Sequence, residues 1–175
     1  MRHYPPAILA LDAAYGETQA AVAGVFFSDW AAEDRITAIS KRSDGPPRSY
    51  EPGAFYKREL PLLLSIIDEV PPTAIATIIV DGYVWLGHEG QLGLGAHLYE
   101  AIHRRVPVVG VAKTKYRGDT WSLPVLRGAS ASPLYVTSAG VDCAIAAENV
   151  ARMSGVGRTP KLISLADRWA RSGLG

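Results

Sequence analysis

Two apolar runs that each end on an aspartate constrain the fold of this chain more than any other feature. The segment "AILALD" ends on Asp12, and the segment "TAIATIIVD" ends on Asp81. Continuous runs of Ile, Val, Leu and Ala of this length are typical of strands covered on both faces, as in parallel sheets. We therefore expect both runs to be strands of one covered sheet, with both carboxyl groups where the strands end.

The remaining segments predict an α/β order around these two strands. A Val- and Phe-rich strand is expected in 18–28 and another in 34–43, each after a short turn. Helical spacing and the placement of glycine and proline predict helices in 54–70, 93–106, 141–155 and 162–173. Further strands are expected in 107–113 and 132–139, and Pro61 near the start of its helix or at a kink. The order β-β-β-α-β-α-β-β-α-α predicts a mixed sheet, an antiparallel meander followed by parallel strands, with helices on both faces.

Composition adds limits without selecting a function. The 175 residues predict one domain spanning 1–175, large enough to bury a substantial core. The formal net charge of +1 gives no global basic field, which leaves a nucleic-acid ligand open. Cys143 is the single cysteine, so no internal disulfide is expected, and no Cys/His spacing indicates zinc. No stretch has the length of a membrane span or signal peptide, and we expect a monomer in the reducing cytoplasm.

Four carboxylates in this pattern form a candidate metal site. Taken alone, Asp12 and Asp81 read equally well as turn formers, and Glu59 and Asp167 as solvated helix residues. Mg²⁺ takes carboxylate oxygens together with water and substrate phosphate, and nucleases with two ions need about three or four converging carboxylates. Neighbouring strand ends with a helix packed beside them are able to bring Asp12, Glu59 and Asp81 together.

Four segments resemble, in order and spacing, the successive motifs of the endonuclease V family. They are "LDAAY" (11–15), "YEPGAFYKRELPLLL" (50–64), "VDGYVWLGHEGQLGLGAHL" (80–98) and "VGVAKTK" (109–115). A fifth, "LADRWA" (165–170), resembles the acidic or histidine-bearing helix near the end of that family's chains. The resemblance spans residues 7 to 171 and implies an RNase H-like fold. It also implies Mg²⁺-dependent cleavage, with Mn²⁺ as a substitute, 3′ to deoxyinosine in DNA, or to inosine in RNA, in nucleic-acid repair.

Carried over position by position, the resemblance implies a catalytic role for five residues. The metal-binding carboxylates of the family match Asp12, Glu59 and Asp81, and the late-helix position that holds Asp or His matches Asp167. Lys113 matches a lysine near the scissile phosphate. The cations Lys57, Arg58, Lys115 and Arg117 are further candidates for phosphate contacts, with solvated surface positions as the alternative.

Substrate recognition in the family implies a second group of residues. Tyr50, Pro52 and Gly53 match the wedge that enters the duplex beside the modified base. Gly53, Gly82 and His88 match the pocket that receives inosine after it leaves the stack. For His88 a histidine satisfied by nearby backbone is the alternative reading.

Departures from the family pattern concentrate in these recognition segments. Glu51 stands in the wedge where an apolar residue is usual, and Glu89 and Gly90 replace a Pro-Arg pair after Asp81. The loop that contains them is one residue longer than the family's. Two alternatives therefore stay open: a related metal-dependent nuclease for another structured or modified nucleic acid, and a non-catalytic nucleic-acid-binding relative.

Overall fold

Two parallel strands that carry Asp12 and Asp81 lie at the centre of the sheet. The strand with Asp81 ends on that residue as expected, whereas the strand with Asp12 continues past it to Tyr15, because it stays paired with the antiparallel strand beside it. A computed structural model describes residues 5–43, 45, 49, 51 and 54–174. Its strands in these ranges are β1 (Ala7–Tyr15), β2 (Ala20–Phe27), β3 (Thr37–Arg42), β4 (Ile75–Asp81), β5 (Trp85–Leu86), β6 (Gln91–Leu92), β7 (Val108–Ala112), β8 (Leu123–Val125) and β9 (Leu134–Ala139). Seven of them form one sheet in the order β3-β2-β1-β4-β7-β9-β8, and β5 pairs with β6 separately. The mixed sheet expected from the sequence is confirmed.

The type of strand pairing changes twice across this sheet, at β1 and at β7. β1, β2 and β3 pair antiparallel as the expected meander, whereas β1, β4 and β7 run parallel. β9 then pairs antiparallel with both β7 and β8. The carboxyl ends of β1, β4 and β7 therefore share one edge of the sheet, and that edge receives Asp12 and Asp81.

Helices cover both faces, as the continuous apolar runs predict. The helices are α1 (Tyr56–Ile67), α2 (Leu94–Ala101), α3 (Cys143–Ala151) and α4 (Lys161–Ser172). Leu63 and Ile66 of α1 and Leu98 of α2 pack on one face, and α3 and α4 bury their apolar side chains on the other. Pro61 lies inside α1, beyond the position at which proline costs a helix nothing. Among the helices of the described ranges, none is both long and apolar enough to cross a membrane.

The loop after Asp81 and the segment before β9 contain strands that the sequence does not predict. β5 and β6 form a hairpin of two residues a side, and β8 has three residues. Strands this short contain at most one full alternation of apolar and polar residues. Periodicity therefore cannot distinguish them from loop.

A buried arginine fixes the connection between α3 and α4. Arg127 is 6% exposed, and its guanidinium donates hydrogen bonds to the carbonyls of residues 151, 153–155, 157 and 158. The hydrogen bond to Gly157 O measures 3.0 Å and that to Arg158 O 3.3 Å. A planar group with five donors suits a turn whose carbonyls point inward. The start of α4 is thereby fixed relative to β8.

Candidate active site

Asp12 and Asp81 lie side by side because their strands pair in register. Leu11 pairs with Val80 across the parallel β1–β4 ladder, so the next residue on each strand is an aspartate. Ile8, Ala10 and Ile79 face the layer formed by α3 and α4. Since side chains alternate along a strand, Asp12 and Asp81 continue that same row. The two carboxyl groups therefore project toward the face covered by α4.

Glu59 reaches the same edge from the opposite helical layer. It lies in the first turn of α1 and is 8% exposed. Burial raises the pKa of Glu59 to about 8, and the negative charges of Asp12 and Asp81 add to the rise. The Tyr15 hydroxyl and the Arg58 guanidinium oppose it, the latter lying 3.6 Å from the centre of the Tyr15 ring. Three of the expected carboxylates thus share one electrostatic environment.

Asp12 is the residue at which these repulsions meet. The pKa of Asp12 is raised to about 7. Burial is the largest cause, and the negative charges of Asp81 and then of Asp167 on α4 add to the rise. The amide of Ala13, which donates to Asp12 Oδ1 at 2.8 Å, and the Lys113 ammonium act in the opposite direction. A cluster of buried and half-buried acids that is this costly to ionise is typical of a functional site.

The donor set fits a hard divalent cation in chemistry, although the oxygens do not yet converge. Within the described ranges, no three His, Cys, Asp or Glu side chains already have the spacing of a metal site. Two of the acids are turned to basic neighbours: Asp81 Oδ2 lies 3.1 Å from Lys113 Nζ, and Asp167 Oδ1 lies 2.7 Å from Arg171 Nε. Oxygen ligands of this kind suit Mg²⁺ or Mn²⁺, and rotation of partly exposed side chains would bring them closer.

Removal of the Asp12 charge is expected to stabilise the metal-free protein. The folded-state pKa of Asp12 is raised from 3.8 to about 7, so the folded chain holds a proton that the unfolded chain releases. Stability therefore falls as pH rises from about 4 to 8. We expect Asp12→Asn to raise the free energy of unfolding at pH 8.5 by about 2 kcal/mol in EDTA, and by less at pH 6. Urea denaturation of both proteins at the two pH values measures this, with exposed Asp68→Asn as control. An Asp12→Asn gain that is the same at pH 6 and pH 8.5 would contradict it.

A largely apolar pocket opens beside Asp81. Its volume is about 420 Å³, and Asp81 and Gly82 form part of its wall. The other lining residues are aromatic or aliphatic apart from Gly93: Phe55, Tyr56, Tyr83, Leu86, Leu92, Leu94 and Tyr116. Gly82 has φ +131°, a conformation that favours glycine, and the space beside its Cα is open. A planar group bound in this pocket would contact the Gly82 backbone next to the carboxylates.

Hydrogen bonds hold the loop after Asp81 tightly across the sheet. Gly82 N donates to Val111 O at 3.2 Å, and Val84 N donates to Thr137 Oγ1 at 2.8 Å. Gly110 of β7 makes this approach possible, since a Cβ there would lie 2.5 Å from Gly82 O. The loop that supplies the pocket wall is therefore anchored on two neighbouring strands.

The candidate recognition residues do not all lie at the pocket. Tyr50, Pro52 and Gly53 lie outside the described residues. Gly82 lines the pocket. His88 lies in the turn of the β5–β6 hairpin with a side chain 73% exposed, 3.5 Å from Glu89, and is not among the residues that line the pocket.

Sequence reasoning missed the aromatic lining of the pocket. Tyr83 and Tyr116 lie in segments that the sequence predicts only as loop, and Phe55 and Tyr56 lie in a predicted helix with nothing in the pattern to set them apart. The usable signal is the spacing of Tyr83 directly after Asp81-Gly82, because a bulky apolar residue there must lie near the strand end. His97 of α2 stacks on Tyr56 with ring centroids 3.5 Å apart.

The strand order and the acids at adjacent strand ends define an RNase H-like α/β protein. The family model of endonuclease V matches residues 2–168. The chain therefore belongs to the endonuclease V family, which is a family of nucleases. No curated protein sequence matches it at a significant level.

Several solved structures share the fold over nearly the whole chain. The endonuclease V of Streptomyces avermitilis is 25% identical, with a TM-score of 0.73 over 98% of this chain and 83% of that one. Human ENDOV is 21% identical, with a TM-score of 0.77 over 96% and 84%. Ciona intestinalis endonuclease V, solved with a 24mer DNA containing an inosine followed by a ribo-adenosine, is 16% identical, with a TM-score of 0.79 over 97% and 85%.

Proposed function

We propose that this protein is a divalent-metal-dependent endonuclease that cleaves DNA 3′ to deoxyinosine, or RNA 3′ to inosine, in nucleic-acid repair. One observation carries the proposal. Asp12 and Asp81 directly follow the last residue pair of the parallel β1–β4 ladder, the charges of both act on buried Glu59, and an apolar pocket opens beside Asp81. Phosphodiester hydrolysis requires acids for the metal, and recognition of a base requires a pocket next to them.

Asp12, Glu59, Asp81 and Asp167 are the residues proposed to hold Mg²⁺, or Mn²⁺ in its place. The raised pKa values of Asp12 and Glu59 support this role, since their mutual repulsion is relieved by a cation. A bound Mg²⁺ supplies a polarised phosphate oxygen and a water of lowered pKa. Asp167 and Asp81 keep partly exposed side chains, at 30% and 36%, and so face the solvent from which substrate comes.

Lys113 is proposed to contact the phosphate that is cut. Its ammonium lies 3.1 Å from Asp81 Oδ2, and its side chain is 41% exposed. A phosphate oxygen next to Asp81 would fall within reach of the same ammonium. Exposed Lys115 and Arg117 follow on the same loop and extend the positive charge along the path of a nucleic-acid backbone.

The apolar pocket is proposed to receive the base that has left the stack. Its aromatic walls suit a planar ring, and the space beside the Gly82 Cα lets a purine approach the backbone closely. The relative from Ciona intestinalis, which was solved with inosine-containing DNA, supports hypoxanthine as that base. The wedge is proposed to comprise Tyr50, Pro52 and Gly53.

The hairpin turn favours keeping a second candidate function. Glu89 adds an exposed negative charge in the turn of the β5–β6 hairpin, whose strands carry the pocket residues Leu86 and Leu92, and this charge would repel an approaching phosphate. Glu51 by contrast is paired, since Lys57 Nζ lies 3.0 Å from its carboxylate. Repulsion of phosphate would then be confined to the hairpin, which suits a nucleic acid whose backbone turns away from the hairpin. A nuclease for branched or otherwise structured nucleic acid is therefore the second candidate.

The test is a cleavage assay with end-labelled substrates in Mg²⁺ and in Mn²⁺. The substrates are a deoxyinosine duplex, its adenine counterpart, the inosine single strands in DNA and RNA, and a branched DNA. We expect cleavage 3′ to the modified base and none of the adenine duplex. Cleavage of the branched DNA without preference for inosine would establish the second candidate instead. Absence of cleavage of all substrates would overturn both.

Three further expectations stay predictions. Residues 1–175 are proposed to act as a single domain and as a monomer on nucleic acid. The cytoplasm is the proposed place of action, because the single unpaired cysteine suits a reducing compartment.

A further inference from the structure

The Tyr83 hydroxyl connects the pocket to the loop that follows β7. Tyr83 is 8% exposed and comes two residues after Asp81. Its hydroxyl donates to Thr114 O at 3.0 Å and accepts a hydrogen bond from Tyr116 N, also at 3.0 Å. One side-chain oxygen therefore holds two backbone groups of residues 113–117, here named the cation loop.

The cation loop supplies groups to both parts of the candidate site. Lys113 begins it and is paired with Asp81. Tyr116 lines the pocket, with its ring edge-on to that of Tyr83 at 6.1 Å between centroids. The loop lies at the protein surface, where all of its residues are exposed. Short surface loops hold a catalytic group accurately only when buried groups fix their backbone.

The start of the cation loop has a support of its own, at the carbonyl of Lys113. The Arg158 guanidinium donates to Lys113 O and, at 2.7 Å, to Pro133 O. That contact fixes the start of the cation loop at the end of β7. Residues 114 to 116 lie beyond it and are held by the Tyr83 hydroxyl. Loss of the hydroxyl would free the loop immediately after Lys113 and leave the strand intact.

We propose that Tyr83 is a positioning residue, whose hydroxyl holds the cation loop so that the Lys113 ammonium stays beside Asp81 and Tyr116 stays at the pocket. The inference rests on the proposed function. It goes beyond the family resemblance, which assigns no role to this position. Tyr83 acts through Lys113 and Tyr116 and needs no contact with the reacting atoms.

The test is a double-mutant cycle of Tyr83→Phe with Lys113→Ala. Tyr83→Phe keeps the ring that lines the pocket and removes only the hydroxyl. We expect it to lower kcat on the deoxyinosine duplex about tenfold, as loss of a supporting group does. In the Lys113→Ala background it is expected to change kcat by less than about threefold, because the group it positions is gone. A double variant whose loss equals the product of the two single losses would overturn the proposal, as would a Tyr83→Phe enzyme with unchanged kcat.

A second readout does not depend on activity. Amide hydrogen exchange at Tyr116 is expected to be about tenfold faster in Tyr83→Phe, with a melting temperature within about 4 °C of the wild type. Tyr99→Phe is the control, since the described residues offer its hydroxyl no hydrogen-bond partner, and it should leave kcat and this exchange unchanged. If the wild type cleaves nothing, the proposed function fails, and unchanged exchange at Tyr116 in Tyr83→Phe decides against the positioning role separately.

Discussion

Asp81→Asn is expected to lower cleavage of the deoxyinosine duplex at least about a hundredfold without unfolding the protein. Asparagine keeps the shape of the side chain and removes the charge that faces Asp12, Glu59 and Lys113. Loss of a group that merely supports a metal ligand already costs 10–100-fold, so the loss of a ligand should cost more. The substitution also removes the carboxylate that pairs with the Lys113 ammonium, the group proposed to contact the phosphate.

Single-turnover kinetics and Mn²⁺ titration by calorimetry together measure this effect. We expect the Mn²⁺ affinity to fall with the rate, because the same carboxylate is proposed to serve both. Asp68→Asn provides the control, since Asp68 is an exposed acid at the end of α1, away from the strand edge. Wild-type kinetics for Asp81→Asn would show that Asp81 has no role in catalysis. An unchanged Mn²⁺ affinity with a reduced rate would show instead that Asp81 does not bind the metal.

Arg127→Met is expected to lower the free energy of unfolding by about 3 kcal/mol. Methionine replaces the buried stem of the side chain but leaves the carbonyls around residues 153–158 without their donor. Buried carbonyls left unsatisfied cost about 1–3 kcal/mol each, and partial access of water to this turn limits the sum. At this chain length the loss corresponds to roughly 6–12 °C in melting temperature.

Thermal and urea denaturation measure the effect, and two variants bracket it. Arg127→Lys should recover little, because an ammonium cannot reach carbonyls spread around a planar fork. Exposed Arg152→Ala, one turn away at the end of α3, should change stability by less than about 0.5 kcal/mol. Arg127→Met with wild-type stability would mean that water satisfies the turn as well as the guanidinium does.

The sequence predicted the sheet because its strands are long apolar runs with abrupt ends. β4 ends on Asp81, where its apolar run ends, whereas β1 continues past Asp12 to Tyr15 because its pairing with β2 extends to Tyr15 and Ala20. The predicted ends of helices were less accurate. The helix expected in 93–106 is α2 at Leu94–Ala101, because His103 and Arg104, which follow it, have positive φ. A change to left-handed backbone at two non-glycine residues leaves no mark in hydrophobic periodicity.

The candidate site was predictable where strand register determines it and unpredictable where loops do. Asp12 and Asp81 are neighbours because each follows the last paired residue of two parallel strands in register. Closeness of Glu59 depends on how α1 packs, which the sequence alone suggested only through the family resemblance. The pocket is formed by the hairpin and the cation loop, and long-range hydrogen bonds such as that from Val84 N to Thr137 determine their course. No local pattern encodes a partner 53 residues away.

The acids of the candidate site are spread over most of the chain. Asp12 comes from the first strand, Glu59 from the first helix, Asp81 from β4 and Asp167 from the last helix. A chain that terminates before residue 167 therefore lacks at least one of the four acids. Nicking activity would report that synthesis has passed residue 167. The same dispersal would let two inactive fragments be recombined as a split nuclease.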